Sequence, residues 1–263
     1  MKFIHLILTY SALILASCAG KSATTAETDS TAVGTTGANV SFSADSAYTY
    51  LARQVEFGPR VPNSEAHTKT ADWLVSELSR HGAKVIEQKA DLKAFDGTTL
   101  HARNIFGRIN PDATSRILLL AHYDCRPWAD QDPDETKRNS PVDGANDGAS
   151  GVAVILEAAR QLKETDSKLG VDFLFVDAED WGTDGDDDSW AMGAHYFAEN
   201  PPIAGYAPDM AVLLDMVGGK DAVFPREFYS QQNAPAVNDA FWRAAKIAGF
   251  ADRFPDTMGG VIT

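Results

Sequence analysis

The chain has 263 residues, 44% of them hydrophobic, with 37 acidic side chains against 23 Lys and Arg and a formal net charge of −14. That is enough apolar material for one sizeable domain. The acidic balance argues against a nucleic-acid partner, because phosphate binding calls for a Lys/Arg excess, and it leaves room for a group of metal-binding carboxylates.

The first element is "MKFIHLILTYSALILASC": one Lys, an apolar run, then small residues before Cys18. This reads as a secretory signal, too short for a comfortable transmembrane span. "LASC" resembles the lipobox of bacterial lipoproteins, which implies cleavage before Cys18 and lipidation of its thiol. A plain secretory signal with an incidental Cys is the alternative. With Cys18 lipidated, Cys125 is the only other thiol and no internal disulfide is possible. Residues 19–44 are rich in Thr, Ala, Gly and Ser and read as a disordered tether. The expected layout is therefore signal peptide 1–18, tether 19–44 and folded domain 45–263.

Two helical patterns open the domain. "SADSAYTYLARQVEFGPR" has Ser and Asp caps and a Gly-Pro stop, and "NSEAHTKTADWLVSELSRHG" ends at Gly82. "AKVIEQKADLKAF" and "TTLHARNIFGRI" read as strands joined at Asp96-Gly97. Then strands alternate with helices. "RILLLAHYD", "VDFLFVDAED" and "DMAVLLDMVGG" read as fully buried strands, separated by "DGASGVAVILEAARQLKE" and "SWAMGAHYFAEN" and followed by "APAVNDAFWRAAKIAGF". The alternation predicts a three-layer αβα fold, with a central mixed, mainly parallel sheet flanked by helices.

The three apolar strands end alike. The first runs into His122 and Asp124, the second into Asp177, Glu179 and Asp180, the third into Asp215. Ligands of open α/β sheets bind beyond the carboxyl ends of the strands, so these groups are expected to converge. "GANDGASG" adds Asp147 from a glycine-rich turn. Converging carboxylates repel unless a cation joins them, and imidazole with carboxylates and no thiolate suits a catalytic zinc. Singly, each residue has a plainer explanation, a hydrogen-bonded histidine or a helix-capping acid. Asp177 is left out on that ground. "DGDDDS" reads as a solvated loop, His67 and His81 as surface groups, and His101 and His195 as structural. Cys125 reads as a small space-filling residue.

"AHYD", "GANDGASG", "AEDWG" and "LLDMVGG" together resemble the metal motifs of the co-catalytic zinc aminopeptidase family, whose relatives include the glutaminyl cyclases. "HYDCRPWADQDPDE" is similar in particular to the bacterial cyclases, which are membrane-associated or periplasmic. The resemblance implies that Asp147 and Asp180 are zinc ligands and that Glu179 is the general acid/base. Asp180 stands where the family usually has Glu. Asp215 is implied as a catalytic partner in cyclases. His122 and Asp215 match second-metal ligands in aminopeptidases, and Asp124 matches the acid that fixes a ligand His. The remaining ligand, a His in a late loop, is expected beyond Thr263, so the domain is expected to be incomplete at its C-terminus, last strand and helix included.

The implied reaction is cyclisation of N-terminal glutamine to pyroglutamate at one zinc. The enzymatic alternative is a two-zinc aminopeptidase, and the non-enzymatic one a surface lipoprotein using the fold for binding. Peptide or protein N-termini are the expected substrates. The expected location is the bacterial cell envelope, lipid-anchored to the membrane and periplasmic or surface-facing.

Overall fold

A computed structural model describes residues 41–165 and 168–259. Helix α1 (Ala44–Glu56) starts where the Ser43 side chain accepts the Ser46 N–H at 3.1 Å. Ser64 does the same for α2 (Glu65–Arg80), accepting from His67 N. Strands β1 (Lys84–Lys93) and β2 (Thr99–Ile109) form an antiparallel hairpin. Its turn is closed by Asp96 Oδ1, which accepts the Thr98 N–H at 2.8 Å. Then follow β3 (Arg116–His122), α3 (Ala149–Lys163), β4 (Gly170–Val176), α4 (Met192–Glu199), β5 (Met210–Leu213), α5 (Phe228–Asn233) and α6 (Pro235–Ile247).

The sheet order is β1-β2-β4-β3-β5. β2 meets β4 antiparallel, while β4, β3 and β5 run parallel. The sheet is thus mixed, with its parallel part where the crossovers α3 and α4 lie.

Alternation along the strands feeds two apolar layers. Phe173 and Phe175 face one side, where they join Ile105, Leu74 and Leu78 of α2, and Val152, Ile155 and Leu156 of α3. Leu174 and Val176 face the other, with Phe106, Leu118 and Phe197 of α4. Each such side chain contributes about 1.5–3 kcal/mol by leaving water. β4 has helices on both faces and is buried at every residue. Burial is the pattern expected of the apolar run at residues 173–176, and Asp172 is buried by pairing with Arg108 and Arg116.

Two expectations need correction. β5 is not fully buried: it is paired only with β3 among the described residues, its exposure alternates, and Leu213 is 58% exposed. Among the described residues one side of β5 has no partner strand. His67 and His81 are not on the surface. They continue the buried stripe of α2, Thr70, Ala71, Leu74 and Leu78, at helical spacing. His67 Nε2 lies 2.8 Å from Asp177 Oδ1, and His81 Nε2 lies 3.0 Å from the Tyr50 hydroxyl. Among the described residues no helix is long and apolar enough to cross a membrane.

Candidate metal centre

The parallel register assembles the site. His122 pairs with Val176 across β3 and β4, and Leu120 pairs with Leu213 across β3 and β5. Hydrogen bonds from Tyr123 N to Val176 O (3.1 Å) and from Leu214 N to Leu120 O (2.9 Å) carry the pairing past the strand ends. His122, Asp215 and the Asp177–Asp180 turn therefore leave the sheet side by side. The turn before α3 brings in Asp147. Asn146 Oδ1 accepts the Gly218 N–H at 2.9 Å and Ser150 Oγ accepts the Val217 N–H at 3.0 Å, which ties the segment after Asp215 to that turn. Gly148 makes the approach possible, because a Cβ there would sit 2.6 Å from His122 Nε2.

His122, Asp147 and Asp215 each present a donor atom, and the three lie within 4.8 Å of one another. His122 Nε2 is 2.8 Å from Asp147 Oδ1 and 3.6 Å from Asp215 Oδ1. Yet both ring nitrogens of His122 and Asp215 Oδ1 are buried without an aligned hydrogen bond. Buried polar atoms normally find partners. Of these, His122 Nε2 and Asp215 Oδ1 face each other at 3.6 Å beside Asp147, which is what a divalent cation would satisfy, and imidazole with two carboxylates is a suitable donor set for zinc.

Electrostatics point the same way. Burial opposes a charge on His122, but Asp124, Asp147 and Asp215 outweigh it and raise its pKa well above the usual value. The His122 contact holds Asp147 below the ordinary carboxylate range. Glu179 is pushed up to about 7, first by burial and then by Asp124, Asp215 and Asp147. Burial with the Asp124, Asp147 and Glu179 charges pushes Asp180 up to about 8. Without a cation, Glu179 and Asp180 hold protons that an isolated carboxyl would release.

The turn carrying Glu179 and Asp180 is built for this position. Ala178 is left-handed (φ 52°), and its N–H donates to Asp177 Oδ1 at 2.7 Å. Fully buried Asp124 accepts the N–H groups of Glu179 (3.2 Å) and Asp180 (3.1 Å). Asp124 Oδ1 also lies 3.5 Å from His122 Nδ1, so one acid orients the histidine and the Glu-Asp turn together. Glu179 Oε2 comes within 4.0 Å of His122 Nδ1. Asp180 is only 7% exposed and stands outside the three-donor group, with Arg126 Nη1 3.7 Å from its Oδ1. Asp215, expected as a catalytic partner in cyclases and as a second-metal ligand in aminopeptidases, is grouped with His122 and Asp147, and its charge also acts on Glu179. Asp177 holds His67, Tyr123 and the Arg103 N–H and stays out of the cluster, as expected.

Beside Asp180, Trp128 and Trp181 meet edge to face at 5.6 Å, and the Arg126 guanidinium lies 4.8 Å from the Trp190 ring. Trp128 and Trp190 thus flank the Arg126 guanidinium, and Trp181 packs on Trp128. Asp184 and Asp186–Asp188 are exposed. Cys125 is buried, as expected of a space-filling residue. Cys18 and most of the expected tether lie outside the described residues, as does the His expected beyond Thr263. Arg60 escaped the sequence reading altogether.

A comparison with family models matches residues 104–260 to peptidase family M28. The chain belongs to peptidase family M28. Among solved structures, a leucine aminopeptidase precursor from Bacteroides thetaiotaomicron is 48% identical, with a TM-score of 0.84 over 86% of this chain and 80% of that one. Glutaminyl cyclase from the same organism, bound to N-acetylhistamine, is 48% identical, with a TM-score of 0.83 over 85% and 79%. A Zn-dependent exopeptidase from Parabacteroides distasonis is 48% identical, with a TM-score of 0.82 over 84% and 78%. This M28 chain spans less than half the length of the curated relatives it matches.

Proposed function

We propose that the protein cyclises the N-terminal glutamine of peptides to pyroglutamate and releases ammonia. The observation that carries this reading is Glu179, a carboxyl with a pKa near 7 placed 4.0 Å from the histidine of a three-donor cation cradle. Likeness to a glutaminyl cyclase at 48% identity supports this reaction within the family.

In the ring closure the α-amine nitrogen attacks the γ-carboxamide carbon. A C–N bond forms, the bond to the amide nitrogen breaks, and ammonia leaves. Glu179 takes the proton from the attacking amine and hands it to the departing nitrogen, which returns the carboxylate to its starting state. A group with pKa near 7 is suited to both transfers. Asp124 fixes Glu179 through its backbone N–H. Trp128 and Trp181 would wall the substrate side chain. His122, Asp147 and Asp215 would hold one zinc. The chemistry such a cation supplies when bound is polarisation of an amide carbonyl.

A peptide starting with Gln tests the proposal. Loss of one ammonia from the intact peptide supports it, and release of free Gln overturns it. The second reading is an M28 aminopeptidase. Buried Asp180 favours it, because the resemblance implies Asp147 and Asp180 as ligands of one zinc and matches His122 and Asp215 to the ligands of a second. Two zinc ions per active chain would support that reading, and one supports the cyclase.

We also propose that the protein is lipid-anchored through Cys18 in a bacterial cell envelope, where peptide N-termini reach it. Metabolic labelling with a fatty acid should mark the full chain and spare the Cys18→Ala variant. Equal labelling of both would overturn the anchor.

A further inference from the structure

Arg60 lies in the loop between α1 and α2 and is fully buried. A buried guanidinium is costly unless its donors are satisfied and its charge is answered. Its hydrogen-bond acceptors are backbone carbonyls. Nε donates to Tyr123 O at 3.4 Å, Nη1 to Asp143 O, and Nη2 to Gly144 O at 2.6 Å. Burial lowers its pKa, while the nearby acids Asp124, Asp143 and Asp147 act the other way. An arginine keeps its proton under such conditions.

These carbonyls belong to the two segments that build the metal centre. Tyr123 sits between His122 and Asp124 at the end of β3. Gly144 opens the turn that carries Asp147, and its carbonyl also accepts the N–H of Ala149, the first residue of α3, at 3.2 Å. The turn is closed tightly on Arg60. Gly144 has φ +60°, and a Cβ there would stand 2.7 Å from Arg60 Nη2 and 2.5 Å from Asp147 O. Residue 60 is itself clamped to the strand end. Its N–H donates to Cys125 Sγ at 2.9 Å, and Cys125 N donates back to Arg60 O at 3.3 Å.

We infer that Arg60 is a positioning residue of the metal centre: its guanidinium ties the turn that carries Asp147 to the strand end that carries His122 and Asp124, and places a fixed positive charge among the acids. The inference rests on the three-donor site and not on which reaction that site serves.

The test uses the full chain with Arg60→Lys and Arg60→Met, and zinc alone as the probe. Lysine keeps the charge but lacks the guanidinium fork that reaches several carbonyls at once, and methionine loses both. Zinc affinity is read by competition with a chromophoric chelator, and kcat and KM are read separately on the Gln-initiated peptide. Arg60→Lys should weaken zinc binding by about 10-fold, within the range that loss of an orienting partner of a ligand produces. Its kcat should fall comparably while KM stays within about twofold. Arg60→Met should go further in the same direction. Zinc affinity unchanged in Arg60→Lys would overturn the inference, even if the variant melts earlier, because the role would then be structural only. A raised KM with kcat preserved would also overturn it, by moving Arg60 to substrate binding. If Arg60→Met does not fold, Arg60→Lys decides alone. The zinc measurement keeps its meaning if the peptide is not turned over, so failure of the cyclase reading and failure of this one are distinguishable.

Discussion

The acid cluster has two corners of opposite construction. At one, His122, Asp147 and Asp215 arrive from three separate segments and leave buried donor atoms without hydrogen-bond partners. At the other, Glu179 and Asp180 are sequence neighbours, both N–H groups are held by Asp124, and Arg126 stands 3.7 Å from the Asp180 carboxylate. The first corner presents the donor set of a cation site. The second already has two ways to answer its charge, a proton with pKa near 8 on Asp180 or the neighbouring guanidinium. The difference suggests a division of labour, with cation holding at the His122 corner and proton handling at Glu179.

The sharpest way to break that division is to remove the proton carrier alone. Glu179→Gln keeps the shape and the hydrogen-bonding surface but cannot take a proton. It should lower kcat by about 10²–10⁴-fold, the usual worth of general acid–base catalysis. Zinc affinity should stay close to that of the parent chain, because Glu179 is outside the three-donor group. A variant that lost zinc in parallel with activity would make Glu179 a ligand and erase the distinction between the corners.

Next in size is the location of the cation. His122→Ala should weaken zinc binding at least as much as losing an outer partner of a ligand does, about 10–100-fold. Asp180→Asn should weaken it less. The reverse order, read by the same chelator competition, would move the cation to Asp147 and Asp180, where the family resemblance places it. That outcome would call for a further donor from outside the described residues.

Much of this arrangement was legible before any coordinates. Apolar runs ending in acids pointed to parallel strands delivering charge to one place, and the register from His122 to Val176 does that. What the pattern hid was contact at long range. Nothing in "FGPR" says that Arg60 crosses the interior to the carbonyl groups of residues 123, 143 and 144, since an arginine after a Gly-Pro stop reads as surface. The grouping of Asp215 with His122 depends on how far the chain travels past β5. Side-chain donors of Asn146 and Ser150 settle that from another segment. His67 and His81 were a different kind of miss. Their spacing with Leu74 and Leu78 already lay on the apolar stripe, and the polarity of histidine was given more weight than its phase.

The smallest expected effect tests whether the two corners feel each other. In the metal-free protein, carbon NMR of the Glu179 carboxyl should show titration at about 7. Asp215 contributes a negative charge that disfavours ionisation of Glu179, and His122, whose own pKa is raised, contributes a positive one that favours it. Asp215→Asn removes the repulsion and should move the Glu179 titration to lower pH. His122→Ala removes the attraction and should move it to higher pH. Each shift is expected to be about one unit or less, since Glu179 and Asp215 are partly exposed and screening there is substantial. Opposite signs from two variants of one corner would establish that the cation-holding side tunes the proton carrier electrostatically. Equal or absent shifts would leave burial and Asp124 to raise the Glu179 pKa, and the two corners would then share a place without sharing a field.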